Sequence, residues 1–251
     1  MISHDEQVDR QFGPVAAAYL SSTVHAQGDD LRATADKLRG SGRVLDLGCG
    51  AGHLAFAIAP GVGAIVACDI SPQMLAVVAA EAQRRGLTNL ETQRGAAEKL
   101  PFADASFDAV CTRMSAHHWA DLARGLAEMR RVLKPGGRVV VIDIVGASMP
   151  LFDTHLQAIE LIRDPSHVRN YSLTEWANQL TRAGLVIAGH RTWRLRIEFD
   201  SWVARMETPA DRVAVLHSLW QGAPREVREH FRVAADSSFD LEAALIECRA
   251  A

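Results

Sequence analysis

The stretch "TRMSAHHWAD" (112–121) sets two adjacent imidazoles, His117 and His118, just beyond an apolar run. Upstream, "VLDLGCGAGHLA" (44–55) crowds Gly48, Gly50 and Gly52 into a short turn, and Asp69 follows Gly50 by 19 positions. Histidine titrates near neutral pH and can take a proton from an accepting atom. Glycines let a backbone turn sharply and approach a ligand closely. A carboxylate offers two oxygens, enough to accept hydrogen bonds from both hydroxyls of a ribose.

The charge around the glycine turn narrows the ligand. No lysine or arginine occurs between Arg43 and Arg84, whereas Asp46, Asp69 and Glu81 are acidic. Such a local field favours a cation over a pyrophosphate. The lysine and hydroxyl of a Walker loop are missing, which excludes a P-loop triphosphatase. S-adenosylmethionine has a ribose, an adenine, a sulfonium and an ammonium, and it has no phosphate. Asp46, at the end of the first strand-like run, is placed to meet its cationic methionine end, directly or through water. A nicotinamide-dependent oxidoreductase is a competing reading, because dinucleotide sites share the glycine cluster.

These residues need a scaffold, and the chain alternates apolar strand-like runs with amphipathic helices. "RVLDLG" (43–48), "AIVACD" (64–69), "LETQRG" (90–95), "FDAVCT" (107–112) and "RVVVID" (138–143) predict strands of a parallel sheet covered on both faces. Ser71 and Pro72 open a helix that Arg84, Arg85 and Gly86 close. "ADLARGLAEMRRVLKPGG" (120–137) places Leu122, Leu126, Met129 and Leu133 at helical spacing. Residues 150–183 read as helices interrupted by "RDPSHVRNYS", with Ser172 and Glu175 as a capping box. A sixth strand spans 185–199, residues 200–233 are helical, and 238–248 is a last strand.

With 251 residues, 48% hydrophobic, 23% charged and a net charge of −3, the composition is that of a soluble globular protein. It gives no electrostatic reason to expect nucleic acid as a partner. No signal peptide or bilayer-spanning run is evident, so cytoplasmic location without membrane insertion is expected. Cys49, Cys68, Cys111 and Cys248 show no paired spacing and read as reduced structural residues. No histidine pair has metal-ligand spacing with a carboxylate between, so no metal is expected.

The ordered motifs "VLDLGCGAGHLA", "ACDISPQML", "GAAEKLPFADASFDAV" and "EMRRVLKPGGRVVVID" resemble those of class I S-adenosylmethionine-dependent methyltransferases. Within that family the chain is most similar to the ubiquinone/menaquinone-biosynthesis C-methyltransferase (UbiE-type) group and its uncharacterised bacterial relatives. The resemblance implies an α/β, Rossmann-like, seven-stranded, mostly parallel sheet in the order 3-2-1-4-5-7-6, with helices on both faces. It also implies one domain: an N-terminal lid (1–38), a cofactor-binding core (39–146), and substrate-capping helices with the last two strands (147–251).

Carried over by position, Gly48, Gly50 and Gly52 line the methionine and ribose, Asp69 holds the ribose, and Ile70 and Met74 face the adenine. Related chains have an acid where this one has Ala96, so the adenine amino group needs another acceptor, such as Glu98, beside the Ala97 N–H. Tyr19 on the lid and Arg113 at the end of the fourth strand are further cofactor candidates. His117 and His118 compete with a packing role as catalytic bases. His25, His167, Arg169 and Tyr171 are candidates for contact with a small-molecule acceptor, and Trp176, Trp202 and Trp220 are apolar candidates for its cap. The implied reaction is C- or O-methylation of an aromatic or quinol-like compound, with a non-catalytic cofactor-binding protein as the alternative.

Overall fold

The computed structural model describes residues 2–21 and 28–250. Its strands are β1 (Arg43–Leu47), β2 (Ala64–Asp69), β3 (Leu90–Arg94), β4 (Phe107–Arg113), β5 (Leu133–Ile144), β6 (Leu185–Ile197) and β7 (Phe239–Ala250). They form one sheet in the order β3-β2-β1-β4-β5-β7-β6. The first five pair in parallel, and β7 runs antiparallel between β5 and β6. This is the order that the family resemblance implies. Nearly every residue of β1, β2 and β4 is buried, as continuous apolar strands must be when helices cover both faces.

The described helices are α1 (His4–Phe12), α2 (Ala16–Ser21), α3 (Asp29–Leu38), α4 (His53–Ile58), α5 (Pro72–Arg84), α6 (Leu122–Val132), α7 (Pro150–Arg163), α8 (Leu173–Arg182), α9 (Phe199–Arg205), α10 (Ala210–Gly222) and α11 (Arg225–His230). On one face α3, α4 and α5 bury Leu38, Leu54 and Val78. On the other, α6 and α8 bury Leu126, Met129, Trp176 and Leu180. A third cluster around Trp202, Trp220, Phe231 and Phe239 packs α9, α10 and α11 at the β6–β7 end. Among the described residues no helix is long and apolar enough to cross a membrane.

Local signals act where the sequence places them. Ser71 caps α5 by accepting from the Met74 N–H, with Pro72 in the first turn. Ser172 and Glu175 form the expected reciprocal capping box of α8. One boundary differs from expectation. Leu133, predicted as helical, adopts extended dihedrals and pairs with Phe107 of β4. The ladder then skips and resumes at Arg138 opposite Ala109, so pairing with β4 ends the helix before Pro135 does. β7 also runs two residues beyond its predicted end.

The functional consequence lies at the carboxyl ends of β1 and β4, which neighbour each other where the strand order reverses. Loops leaving them diverge and open a crevice there. Leu126 is fully buried beneath this edge. Leu126→Ala is expected to lower the unfolding free energy by about 2–5 kcal/mol in denaturant titration, whereas an unchanged midpoint would place α6 outside the core.

Candidate functional site

A cavity with about 1060 Å³ of empty space opens at the ends of β1 and β4. Its floor is the glycine turn. Gly48 and Cys49 donate backbone N–H groups to the Cys68 carbonyl at 2.8 and 3.0 Å, which ties the turn to β2. Gly48 has φ +65°, and a Cβ there would fall 1.9 Å from Ser115 Oγ, so only glycine fits between the turn and the loop after β4.

Asp69 closes the floor. One carboxylate oxygen accepts from the Gly50 N–H at 2.8 Å and the other from the Ser71 N–H at 2.9 Å. Each oxygen keeps capacity for a further donor from the cavity. Burial raises its pKa above the usual carboxylate value, against the pull of those N–H groups. Asp46 is more isolated: it is 1% exposed, and neither oxygen has a hydrogen-bond partner among the described residues. Burial pushes its pKa up to about 7, while the Ala55 N–H, too poorly placed to form a hydrogen bond, pulls the other way. A buried carboxylate without a partner, lining a cavity, suits a cationic ligand.

The N-terminal helices cover this floor. His53 Nε2 donates to the Tyr19 carbonyl at 3.0 Å, His4 Nε2 to the His118 carbonyl at 2.7 Å, and Gln7 Nε2 to the Pro165 carbonyl at 2.7 Å. Phe12 and Tyr19 meet edge to face at 5.6 Å and line the cavity together. The Tyr19 hydroxyl donates to Met206 Sδ at 2.8 Å, and burial raises its pKa.

A second cavity, with about 1340 Å³ of empty space, shares Phe12, Tyr19, Arg113, Met114 and His118 with the first. His117 lines the second cavity, next in the chain to His118, which lines both. The His117 Nδ1 lies 2.5 Å from Asp143 Oδ1, and its backbone N–H donates to the other oxygen at 3.2 Å. A carboxylate only accepts, so Nδ1 carries the proton and Nε2 is left as the basic nitrogen. Burial pulls the His117 pKa down, but Asp143, with Glu160 and Asp164 beyond it, outweighs burial and the net shift is upward.

His118 behaves differently, because its Nδ1 donates to the Ser166 carbonyl at 3.1 Å. Burial, reinforced by His117, pushes its pKa down to about 4. His167 is driven further, to about 2, again chiefly by burial, and its Nε2 donates to Gln157 Oε1 at 2.9 Å. The loop carrying His167 hangs on the turn after β4, since the Val168 and Arg169 N–H groups donate to the His117 carbonyl at 2.8 and 3.2 Å.

The first cavity is lined by Tyr19, Asp46, Gly48, Gly50, Asp69, Ile70, Met74, Ala97, Glu98 and Arg113 of the residues singled out in the sequence. Gly52 shapes the turn from behind, where a Cβ would strike Phe56 and Val78, and Ala96 does not line the cavity. Glu98 accepts from the Asp121 N–H at 3.1 Å. Arg113 pairs with Asp30 of α3 at 2.5 Å, a partner without a sequence signal. His167 and Trp202 line the second cavity. Arg169 sits outside both, held by Asp153 and Glu175, and Tyr171 packs on Trp176. Trp176 and Trp220 are core residues, and His25 lies outside the described residues. Asp143, His53, Ser115 and Arg205 escaped the sequence reading. Asp143 had a signal, because it is an acid closing a buried apolar strand.

Residues 45–141 match a family described as "Methyltransferase domain". The chain is 37% identical over 243 residues to an uncharacterized methyltransferase, YcgJ, of Bacillus subtilis, covering 94% of this chain and 96% of that one. It belongs to the S-adenosylmethionine-dependent methyltransferases. The solved structure of the YcgJ protein superposes on this methyltransferase with a TM-score of 0.85 at 36% identity, covering 88% of this chain and 98% of that one. An uncharacterized Escherichia coli protein, YafE, is 44% identical over 200 residues, with 80% of this chain and 97% of that one covered. A ubiquinone/menaquinone biosynthesis C-methyltransferase, UbiE, of Geobacter sp. (strain M21) is 33% identical over 159 residues, or 59% of this methyltransferase and 67% of that protein. The cofactor is S-adenosylmethionine, and the enzyme reading replaces the oxidoreductase alternative. Gly48→Ala is expected to destabilise this methyltransferase by about 1–3 kcal/mol. Ser115→Gly in the same chain should restore part of that loss in a thermal melt, and an unaltered melt for the single variant would contradict the tight approach.

Proposed function

We propose that this methyltransferase moves the methyl group of S-adenosylmethionine to a small molecule held in the second cavity, with His117 as the general base. The carrying observation is the His117–Asp143 pair, whose histidine lines the second cavity beside His118, a residue common to both cavities. Residues 1–38 act as a lid, 39–146 as the cofactor-binding core, and 147–251 as the acceptor cap. In the first cavity Asp69 takes the ribose hydroxyls and Asp46 the cationic methionine end. Gly48, Gly50 and Gly52 give the backbone room, Ile70 and Met74 pack on the adenine, and Ala97 and Glu98 meet its edge. Tyr19 and Arg113 close the methionine end.

S-adenosylmethionine supplies a methyl group already activated by its sulfonium, so alignment and exclusion of water are the protein's main tasks. For a hydroxyl acceptor, the oxygen–carbon bond forms as the sulfur–carbon bond breaks, and the hydroxyl proton passes to His117 Nε2. In the neutral ring Asp143 holds the proton on Nδ1, so that the lone pair lies on Nε2, and it stabilises the imidazolium that forms. His118, held neutral, has a positioning role. An aromatic or quinol-like body fits the wall of Trp193, Leu195, Ile197 and Trp202, and the UbiE likeness supports the same class.

Calorimetric titration with S-adenosylmethionine and S-adenosylhomocysteine tests the first half. Asp69→Ala is expected to weaken both by about a hundredfold, the scale of two hydrogen bonds to a charged acceptor. Retained affinity would move the ribose elsewhere. The second half is read from pH. Because the His117 pKa is raised, the base form is lost as pH falls through a value above the ordinary 6.5, and kcat/KM should fall with it. Asp143→Asn removes the nearest of the carboxylates that oppose burial, so the acidic limb should move to lower pH with a lower plateau. A limb that stays in place would exclude His117 as the titrating base.

A further inference from the structure

The second cavity contains a guanidinium that forms no ion pair among the described residues, Glu160 acting on it from beyond ion-pair distance. Arg113 is committed to Asp30, and Arg191 lies over the Trp193 ring at 5.4 Å. Arg163 donates its Nε to the Trp202 carbonyl at 3.0 Å and stands 4.0 Å from Glu160. Asp164 accepts from the Ser166 N–H and hydroxyl, and Asp29 is exposed at the start of α3. Arg205, the last residue of α9, forms no direct ion pair among the described residues, and its buried Nε has no hydrogen-bond partner. Residues 22–27, outside the described residues, contain no acidic side chain that could supply one. Burial also raises the Glu160 pKa, which weakens it as a standing counter-ion.

A half-buried cation is partly stripped of water and gains from an anion that meets it, and a guanidinium fork matches a carboxylate in two parallel hydrogen bonds. The apolar wall of Trp193, Leu195, Ile197 and Trp202 lines the same space. We propose that Arg205, supported by Arg163, forms a carboxylate-binding subsite, so that the methyl acceptor joins an apolar, ring-sized body to a carboxylate. This subsite rests on the reading of the second cavity as the acceptor site.

The test uses the full chain saturated with S-adenosylhomocysteine and titrated with matched aromatic acids and amides: 4-hydroxybenzoate against 4-hydroxybenzamide, and 4-hydroxycinnamate against its amide. The wild type is expected to bind the acids about tenfold or more tightly than the amides, as loss of a charged hydrogen-bond partner implies. Arg205→Gln should erase that preference and Arg205→Lys should keep part of it. Unchanged affinity for S-adenosylhomocysteine in both variants would show that each is folded. Absence of binding by either acid, equal binding of acid and amide, or a preference that survives Arg205→Gln overturns the subsite. Leu195→Trp, which narrows the cavity, separates the two claims. Where it displaces both probes but no charge preference exists, only the subsite falls; where it displaces neither, the acceptor-cavity reading falls as well.

Discussion

The contact between His117 and Asp143 is the constraint on which both cavities depend. Parallel pairing brings the ends of β4 and β5 side by side, and the Met114 N–H still donates to the Ile142 carbonyl at 2.8 Å as the chain leaves the sheet. The next turn is then fixed by a buried carboxylate that accepts from both the ring and the backbone of His117. With that turn in place, the His117 carbonyl is free to hold the loop carrying His167, and the His118 carbonyl to hold His4 of the lid. One strand-end acid therefore positions the proposed base, the loop carrying His167 and an N-terminal helix.

The neighbouring histidines show how one sequence motif divides into different chemistry. His117 and His118 have ring centres 4.2 Å apart, so both cannot carry charge cheaply in a buried setting. Asp143 decides in favour of His117, and His118 and His167 are pushed to the neutral side. Spacing alone could not separate them, because adjacent residues share every sequence-level signal and differ only in what faces them after folding.

The same distinction explains what was legible beforehand. The strands, their helices and the glycine turn were readable, since apolar runs, caps and φ-permissive residues act within a few positions of themselves, whereas the sheet order came through the family resemblance. Asp69 was readable because its role depends on its place at a strand end. Asp30, His53 and Arg205 were not, for their meaning comes from partners far along the chain: Arg113, the Tyr19 carbonyl, and a cavity bounded by β6 and β7. Leu133 failed for a related reason, because its local pattern is helical and its pairing with Phe107 is not local.

The division between cofactor and acceptor follows the same line. The matched domain ends at residue 141 and takes in most of the first cavity, including Asp46, Asp69, Glu98 and Arg113. Ile144, Arg163, His167, Trp193, Leu195 and Arg205 all follow it, so the second cavity is built largely from chain outside the shared core. The two cavities also differ in charge: acids outnumber the single arginine Arg113 around the first, whereas the second sets arginines against an equal number of acids beside an apolar wall. Arg113, Met114 and His118 line both cavities, so the rim between them is where the proposed donor and acceptor sites adjoin. Kinship through the core carries the donor's identity, and the acceptor's identity has to be sought in the residues that the core does not contain.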